Sequence, residues 1–349
     1  MQKVLSVINF TLIILIFSSC GSTNRSRILQ ELYKEEYKII NTFFTKDIKD
    51  NIYLHNFFYR YKTYDMKKLI LLLLTTFLIT SCTNYGELKL VSYLSGDLKE
   101  VSGVEKSNNL NVLWMHNDSG NAAELFKVST QGKILQKRVL AVKNHDWEDL
   151  TSDSEGNIYI ADFGNNNNKR KNLVILKIKE EELLKGENVE VEKIKFSYPN
   201  QTKFPPKKKD RFFDAESLIY KDGFLYIFTK SRVKNKYGKT ILYKVPATKG
   251  EYTAKYIAEY SNCDDVHCAI TAATISPDKQ KVVLLTHQSV LVFTNFNGDD
   301  FFSGDVKEYT FNHISQKEGI TFKDNTTLYI TDEADKIGSS KLYEFVLKD

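Results

Sequence analysis

The stretch Asn157-Ile-Tyr-Ile-Ala-Asp162 decides the fold, because variants of it recur along the chain. Each copy is a short run of apolar, β-branched and aromatic residues, which is typical of a buried β-strand. The copies, several of which end in a polar or acidic residue, are Asn111–Asp118, Asn157–Asp162, Phe224–Lys230, Val282–Thr286 and Thr327–Asp332. Internal repetition of this kind predicts a fold built from repeated structural units.

Each run belongs to a longer unit with the same internal order. A second short motif recurs about fourteen residues before the end of each run, and we call the end of the run and this motif the two marks of the unit. The second mark is Ser102-Gly-Val, Glu148-Asp-Leu, Glu216-Ser-Leu, Ala272-Ala-Thr and Glu318-Gly-Ile. A third strand-like run follows every copy, and a fourth follows in four units, at residues 135–142, 189–198, 253–260 and 305–312. The fifth unit has no fourth run, whereas residues 87–94 form an unassigned run near the start.

This arrangement predicts an all-β fold, a β-propeller of four-stranded blades. Residues 87–94 would supply the missing strand of the last blade, and closing the ring in this way protects the sheet edges. We count five repeats, whose starts are separated by 46 to 68 residues. Six blades are possible if the longest interval, 148–216, hides a degenerate unit. A β-sandwich is the alternative, but five units of matching order disfavour it.

Four motifs carry a resemblance to known propellers. Residues 87–349 resemble the secreted propellers of the SdiA-regulated, strictosidine-synthase-like and phytase-like groups through Asp146-Trp-Glu-Asp-Leu, Asp162-Phe-Gly-Asn-Asn, Asp214-Ala-Glu-Ser-Leu and Glu318-Gly-Ile-Thr-Phe. These groups are commonly six-bladed, and they mix calcium-dependent hydrolases with proteins of unknown role. The resemblance therefore implies a propeller, and it implies no single activity.

Two segments near the N-terminus have the pattern of an export signal. Met66-Lys67-Lys68 precedes a short apolar run that closes with Ile79-Thr80-Ser81-Cys82, and a looser copy ends at Cys20. A basic start, a short apolar run and small residues are typical of a signal peptide. A Cys directly after the small residues resembles a bacterial lipobox, in which the thiol is acylated.

Because a lipoprotein needs one such signal, we expect translation to start at Met66. Residues 1–65 would then be an overlong extension, residues 66–82 the lipoprotein signal and residues 83–349 the propeller domain. Cys82 would carry the lipid, or Cys20 if the upstream start is used. The protein would be anchored to a membrane of the bacterial cell envelope, with the outer membrane favoured and the domain outside the cytoplasm.

Composition and charge exclude several classes of protein. The 349 residues are 42% hydrophobic and 27% charged, which excludes wholesale disorder. A mean hydropathy of −0.36 excludes a protein with many membrane spans. Of the 49 Lys+Arg and 44 Asp+Glu residues, 11 basic and 6 acidic ones lie in residues 1–81, so that 38 of each remain. This balance argues against a nucleic-acid partner.

The two marks of each unit are expected at one end of the propeller channel. They place there five carboxylates that we predict to be metal ligands: Glu148, Asp162, Glu216, Glu318 and Asp332. Unpaired like charges would destabilise the fold without a cation, and Ca²⁺ binds six to eight oxygen ligands. We therefore expect a Ca²⁺ site, with Mg²⁺ as the alternative. In the other interpretation, the carboxylates cap turns or accept backbone N–H bonds that join the blades.

Other residues near this end are candidates for contact or catalysis. Asn117, Asp118 or Asn165 would add oxygen ligands, and Asp149, Asp214 and Glu333 adjoin the predicted ligands. Lys230 stands where other units have an acidic residue, so it would either neutralise the cluster or contact a ligand's phosphate or carboxylate. His116 and His145 are candidate general bases, although such residues are more often ordinary loop histidines. The chain has no Gly-x-Ser-x-Gly, His-Glu-x-x-His or P-loop motif.

Two further segments suggest specific chemistry. Cys263-Asp-Asp-Val-His-Cys268 would form a disulfide in an oxidising compartment, or a zinc site with His267. Pro205-Pro-Lys-Lys-Lys-Asp-Arg211 is either a solvated loop or a flap that attracts an anionic ligand. The function we expect is a ligand- or protein-binding module that uses an acidic channel mouth, with a small anionic ligand or an envelope protein as partner. The alternative is a calcium-dependent hydrolase of phosphoesters or lactones.

Overall fold

The computed structural model describes residues 84–107, 111–185, 189–335 and 338–348. The predictions for the extension 1–65, for the signal 66–82 and for acylation of Cys20 or Cys82 lie outside these residues. In the part of the chain that is described, no helix has both the length and the apolar character needed to cross a membrane.

Strands β1 to β21 form five sheets, which we call blades I to V. Blade I contains β2 (Val101–Lys106), β3 (Val112–Asn117), β4 (Glu124–Ser129) and β5 (Ile134–Val139). Blade II contains β6 (Trp147–Ser152), β7 (Ile158–Asp162), β8 (Leu173–Ile178) and β9 (Glu192–Ser197). Blade III contains β10 (Asp214–Lys221), β11 (Phe224–Lys230), β12 (Lys239–Pro246) and β14 (Lys255–Ser261).

The last two blades complete the ring. Blade IV contains β15 (Ala272–Ile275), β16 (Val282–Leu285), β17 (Ser289–Thr294) and β18 (Asp305–Thr310). Blade V contains β19 (Lys317–Phe322), β20 (Thr327–Asp332), β21 (Lys341–Val346) and β1 (Lys89–Tyr93). Because β1 pairs antiparallel with β21, the N-terminal strand closes the last blade, as predicted.

Five blades are therefore confirmed within the described residues. The interval 148–216, where a sixth blade was possible, contains a single sheet. Its extra length lies in the short helix α1 (Glu180–Leu184) and in the long loop 198–213. Single 3-10 turns occur at Gly96–Leu98, Lys208–Asp210, Val266–Cys268 and Phe301–Ser303.

One strand was not predicted. β13 (Gly250–Thr253) precedes the outer strand of blade III in the chain, but it pairs in parallel with β9 of blade II. It therefore covers the outer edge of blade II, which would otherwise expose unpaired backbone groups.

The hydrophobic core is divided among the five interfaces between blades. One buried cluster fills each interface, and the largest joins blades II and III through aromatic residues such as Phe196, Tyr198 and Tyr243. The second strand of each blade is thus buried on both faces, between the neighbouring blades. This explains why the repeated runs are almost continuously apolar.

Hydrogen bonds around the channel also link the innermost strands, which are β2, β6, β10, β15 and β19. Most of these bonds join neighbouring blades; for example, Thr271 Oγ1 donates to the Lys317 carbonyl at 2.7 Å, and Thr321 Oγ1 accepts from Lys106 N at 3.1 Å. Asp149 reaches farthest. Its carboxylate is fully buried and accepts from the backbone N–H groups of Leu150, Leu218 and Ala273 at 2.8, 3.0 and 3.2 Å. One side chain of blade II thus holds the inner strands of blades III and IV.

We expect Asp149→Asn to lower the free energy of unfolding by about 1–3 kcal/mol, because an amide offers one acceptor oxygen and leaves a buried N–H without a partner. Urea unfolding followed by circular dichroism measures this. Asp210→Asn, which changes an exposed carboxylate, is the control and should unfold like the wild type. Equal midpoints for all three proteins would show that Asp149 does not lock the ring.

Candidate functional site

The channel mouth is the end of the channel where β6, β10 and β19 begin and where β3 and β20 end. β-bulges interrupt the pairing of the innermost strand in four blades, at Ser102, at Glu148 and Asp149, at Glu216 and at Glu318. A bulge leaves a residue out of the regular pairing and redirects its side chain. Four of the five second marks recognised in the sequence are therefore bulged positions, and three of these direct a glutamate toward the mouth. Blade IV has no bulge at Ala272.

Three carboxylates from blades I and II meet at the mouth, and we call them the carboxylate trio. Asp118, Asp146 and Glu148 place one oxygen each within 4.8 Å of the others. Glu148 is only 7% exposed, and among the described residues its carboxylate has no hydrogen bond or ion pair. Burial, together with the carboxylates of Glu216 and Asp118, raises the pKa of Glu148 well above its usual value. Burial also raises the pKa of Asp118 to about 7 and increases that of Asp146.

Gly164 makes room for the trio. A Cβ atom added at Gly164 would collide with an oxygen of Glu148 and with the carboxyl group of Asp146. The loop after β7 can therefore pass directly over these two carboxylates only because residue 164 has no side chain.

Blade III repeats the Asp-x-Glu pair of blade II, but there the charges are neutralised. Arg232 donates to Asp214 at 2.5 Å and to Glu216 at 2.9 Å, and Lys230 donates to Glu216 at 3.1 Å. Burial opposes the ionisation of Glu216, but Lys230 and Arg232 outweigh it and hold the pKa of this carboxyl below its usual value. Lys230 thus neutralises Glu216, one of the five carboxylates of the predicted cluster, and its contact with a ligand stays a prediction.

The equivalent positions of blade II carry no cation. Trp147 pairs with Asp162 in blade II, as Ala215 pairs with Thr229 in blade III. Phe163 and Asn165 therefore occupy the places of Lys230 and Arg232. This difference leaves Asp146 and Glu148 without the partners that Asp214 and Glu216 have.

The other predicted ligands are engaged elsewhere. Asp162 binds Arg170 and His145, both at 2.9 Å, and Glu318 lies 3.3 Å from His287 Nε2. Asp332 is 1% exposed and accepts from the Tyr343 hydroxyl at 3.1 Å. Of the five predicted metal ligands, only Glu148 belongs to the trio.

The two candidate bases differ in their surroundings. His116 is fully buried between blades I and II, where its Nδ1 lies 3.2 Å from Ser102 Oγ and its ring meets the edge of Trp147. Burial lowers the pKa of His116 to about 4. The His145 side chain is 44% exposed and is held by Asp162.

The side-chain amides that were predicted to add ligands form hydrogen bonds with the backbone of loops. The Asn117 amide accepts from Glu100 N at 3.2 Å and donates to the Asp97 carbonyl at 2.7 Å. The Asn165 side-chain oxygen accepts from Arg170 N at 2.9 Å. Both amides are therefore engaged in loop structure.

The disulfide prediction is confirmed. Cys263 and Cys268 are bonded, with their Cα atoms 5.9 Å apart. The bridge consumes both thiols that the alternative zinc site would have used. The bridged loop borders the mouth, since His267 in this loop lies near His287, with ring centroids 6.0 Å apart and the rings tilted by 50°.

Sequence reasoning missed two functional positions, Asp146 and Arg232. Asp146 lies in the motif Asp146-Trp-Glu-Asp-Leu, of which only Glu148 was predicted to be a metal ligand. Its Asp-x-Glu spacing was the available signal, because side chains two residues apart on a strand point to the same face.

No protein-family model and no curated protein sequence matches the chain. Several solved structures align with it at low identity. Virginiamycin B lyase from Staphylococcus aureus is 14% identical, with 73% of this chain and 69% of that chain covered and a TM-score of 0.37. An aldose sugar dehydrogenase from Streptomyces coelicolor is 9% identical, with 74% of this chain and 97% of that chain covered and a TM-score of 0.42. A gluconolactonase from Xanthomonas campestris is 10% identical, with 74% of this chain and 89% of that chain covered and a TM-score of 0.41.

Proposed function

We propose that the carboxylate trio binds a divalent cation, Ca²⁺, and that the protein is a binding module that takes its ligand at this mouth. The observation that carries the proposal is Glu148, a buried carboxylate that has no partner among the described residues and lies beside two further carboxylates. Ionising a buried carboxylate that has no partner is costly, and a bound cation offsets that cost. The all-oxygen ligand set suits a hard cation, and Ca²⁺ tolerates irregular geometry better than Mg²⁺ does.

Calorimetric titration of the purified protein with CaCl₂, and separately with MgCl₂, tests this proposal. We expect saturable Ca²⁺ binding near one equivalent, weaker Mg²⁺ binding and a higher melting temperature in Ca²⁺. A titration without heat, together with an unchanged melting temperature, would refute the cation site.

Cation binding should depend on pH in a defined direction. Because the pKa of Asp118 is about 7 and those of Asp146 and Glu148 are raised, the trio holds protons at neutral pH that a cation must displace. Affinity should therefore rise as the pH increases from 6 to 8. Titration in two buffers of different ionisation enthalpy should show net proton release at pH 7. Affinity that is constant over this range would contradict the prediction.

Gly164→Ala should weaken Ca²⁺ binding about tenfold or more, since the added Cβ displaces the carboxyl groups of Glu148 and Asp146. The fold should tolerate the change, because these groups are the ends of flexible side chains. Gly96→Ala is the matched control, as an added Cβ there meets no atom within 4 Å. Calorimetry that gives equal affinities for both variants would show that Gly164 does not shape the site.

A metal-dependent hydrolase is the second candidate, and one observation favours it. Burial, with a contribution from Glu318, raises the pKa of Glu333 to about 8, so that a protonated acid stands at the mouth at neutral pH. Such a group could protonate a leaving group. Phosphoester or lactone hydrolysis that EDTA and Glu333→Gln both abolish would establish this function, and inactivity on both substrate classes would leave the binding module.

We also propose that the protein is exported and lipid-anchored through Cys82. The lipobox-like Ile79-Thr80-Ser81-Cys82 supports this, and so does the disulfide, because such bonds persist in oxidising compartments. Mass spectrometry of the native N-terminus tests it. A mature N-terminal peptide within residues 21–65 would refute the Met66 start.

A further inference from the structure

Eight exposed lysines lie on one side of the channel mouth, and we call them the lysine rim. They belong to three loops at the ends of β7, β9 and β11, which all lie at the mouth end of blades II and III. The rim consists of Lys169, Lys171, Lys203, Lys207, Lys208, Lys209, Lys234 and Lys236.

The three loops are fastened to one another. Asn168 of the first loop accepts from Phe213 N at 2.9 Å, and Gln201 donates to the Asn168 carbonyl at 2.9 Å. Arg232 N of the third loop donates to the Arg211 carbonyl at 3.0 Å. The three loops that carry the rim are therefore held together as one surface.

The three loops themselves carry little negative charge. Loops 163–172, 198–213 and 231–238 are described throughout, and Asp210 is their single acidic residue. None of the eight lysines forms an ion pair with a described residue, whereas surface lysines elsewhere do, such as Lys279 with Asp222 and Lys348 with Glu87. The balanced composition of the domain thus conceals a strongly basic face.

An apolar tip stands within the rim. Phe204 is 36% exposed, Pro205 follows it, and Lys171 lies over the Phe204 ring with its Nζ 5.0 Å from the centroid. An aromatic residue among lysines is typical of surfaces that contact a lipid interface, where the ring enters the headgroup region and the lysines meet phosphates.

We propose that the lysine rim docks on a membrane surface rich in anionic lipids. Lysines are point charges on flexible stems, so they suit a diffuse layer of phosphates rather than a single ligand held in a pocket. Each lysine near such a surface strengthens binding, and the contributions add. This proposal is independent of the cation site and of acylation at Cys82.

Sedimentation of the full chain with vesicles tests the proposal. The readout is the ratio of the partition coefficients for vesicles of phosphatidylcholine with one quarter phosphatidylglycerol and for pure phosphatidylcholine. Because both kinds of vesicle allow apolar insertion, its contribution to the partition coefficients cancels in this ratio. We expect a ratio far above one that falls as salt increases. In the triple variant Lys207→Gln/Lys208→Gln/Lys209→Gln, the ratio should be about 100-fold lower than in the wild type, or about fivefold lower for each lysine removed.

The control variant is Lys133→Gln/Lys193→Gln/Lys255→Gln, which removes the same net charge from exposed lysines that have no ion pairs with described residues and lie toward the other end of the domain. It should retain the wild-type ratio within about fivefold. Equal losses in the two variants, or a wild-type ratio near one, would overturn the proposal. So would rim-dependent binding to soluble dextran sulfate without binding to anionic vesicles, which would assign the rim to a soluble polyanion.

Discussion

Glu148→Gln is expected to lower Ca²⁺ affinity on the order of 100-fold, because affinity follows the number of charged ligands in the site. The same change should leave the cation-free protein at least as stable as the wild type. Glutamine has the shape of glutamate but does not bring a buried charge without a partner. At pH 8 each kcal/mol gained should raise the melting temperature by about 2–4 °C. Calorimetry and differential scanning calorimetry measure the two effects.

Glu216→Gln is the matched control at the same mouth. Its carboxylate is satisfied by Lys230 and Arg232, so its loss should reduce stability and leave Ca²⁺ affinity within a few-fold of the wild type. Opposite effects on stability for the same chemical change would separate a ligand from a structural ion pair. Wild-type affinity in Glu148→Gln would show that the trio is not the cation site.

Lys230→Met is expected to lower the free energy of unfolding by about 3–5 kcal/mol, the typical cost of removing one partner from a buried ion pair. Without Lys230, the guanidinium of Arg232 alone must serve both Asp214 and Glu216, which are 0% and 3% exposed. Methionine preserves the length of the side chain, so the loss reports the charge rather than a cavity. Urea unfolding at pH 7 measures it.

The double variant Lys230→Met/Glu216→Gln tests the reason for that loss. Removing both charges should recover most of the stability, because no carboxylate then lacks a cation. If the losses of the two single variants simply add, the two residues do not act as a pair.

Much of the fold could be predicted from the sequence, because each blade repeats the same order of strands and turns. The apolar runs marked the buried second strands, and residues 87–94 marked the closing strand. β13 could not be predicted in this way. Its parallel pairing with β9 depends on the contact between two blades, and a four-residue strand in a connection has no periodicity that reveals its partner.

The candidate site was predicted in part. The sequence located the bulged glutamates but could not show which of them meets a cation from a neighbouring strand. Asp146 and Glu148 have the same spacing as Asp214 and Glu216. What distinguishes the pairs lies at the end of the neighbouring strand, where Phe163 and Asn165 stand in place of Lys230 and Arg232. Only the cross-strand register makes this correspondence visible.

Diffraction from crystals grown with and without millimolar CaCl₂ tests the cation site most directly. The proposed site predicts an anomalous difference peak, present only with calcium, about 2.3–2.6 Å from carboxylate oxygens of Asp118, Asp146 and Glu148. The expected peak is absent from crystals of Glu148→Gln. A wild-type map with full-strength calcium peaks elsewhere and none at the trio would contradict a cation site at the channel mouth.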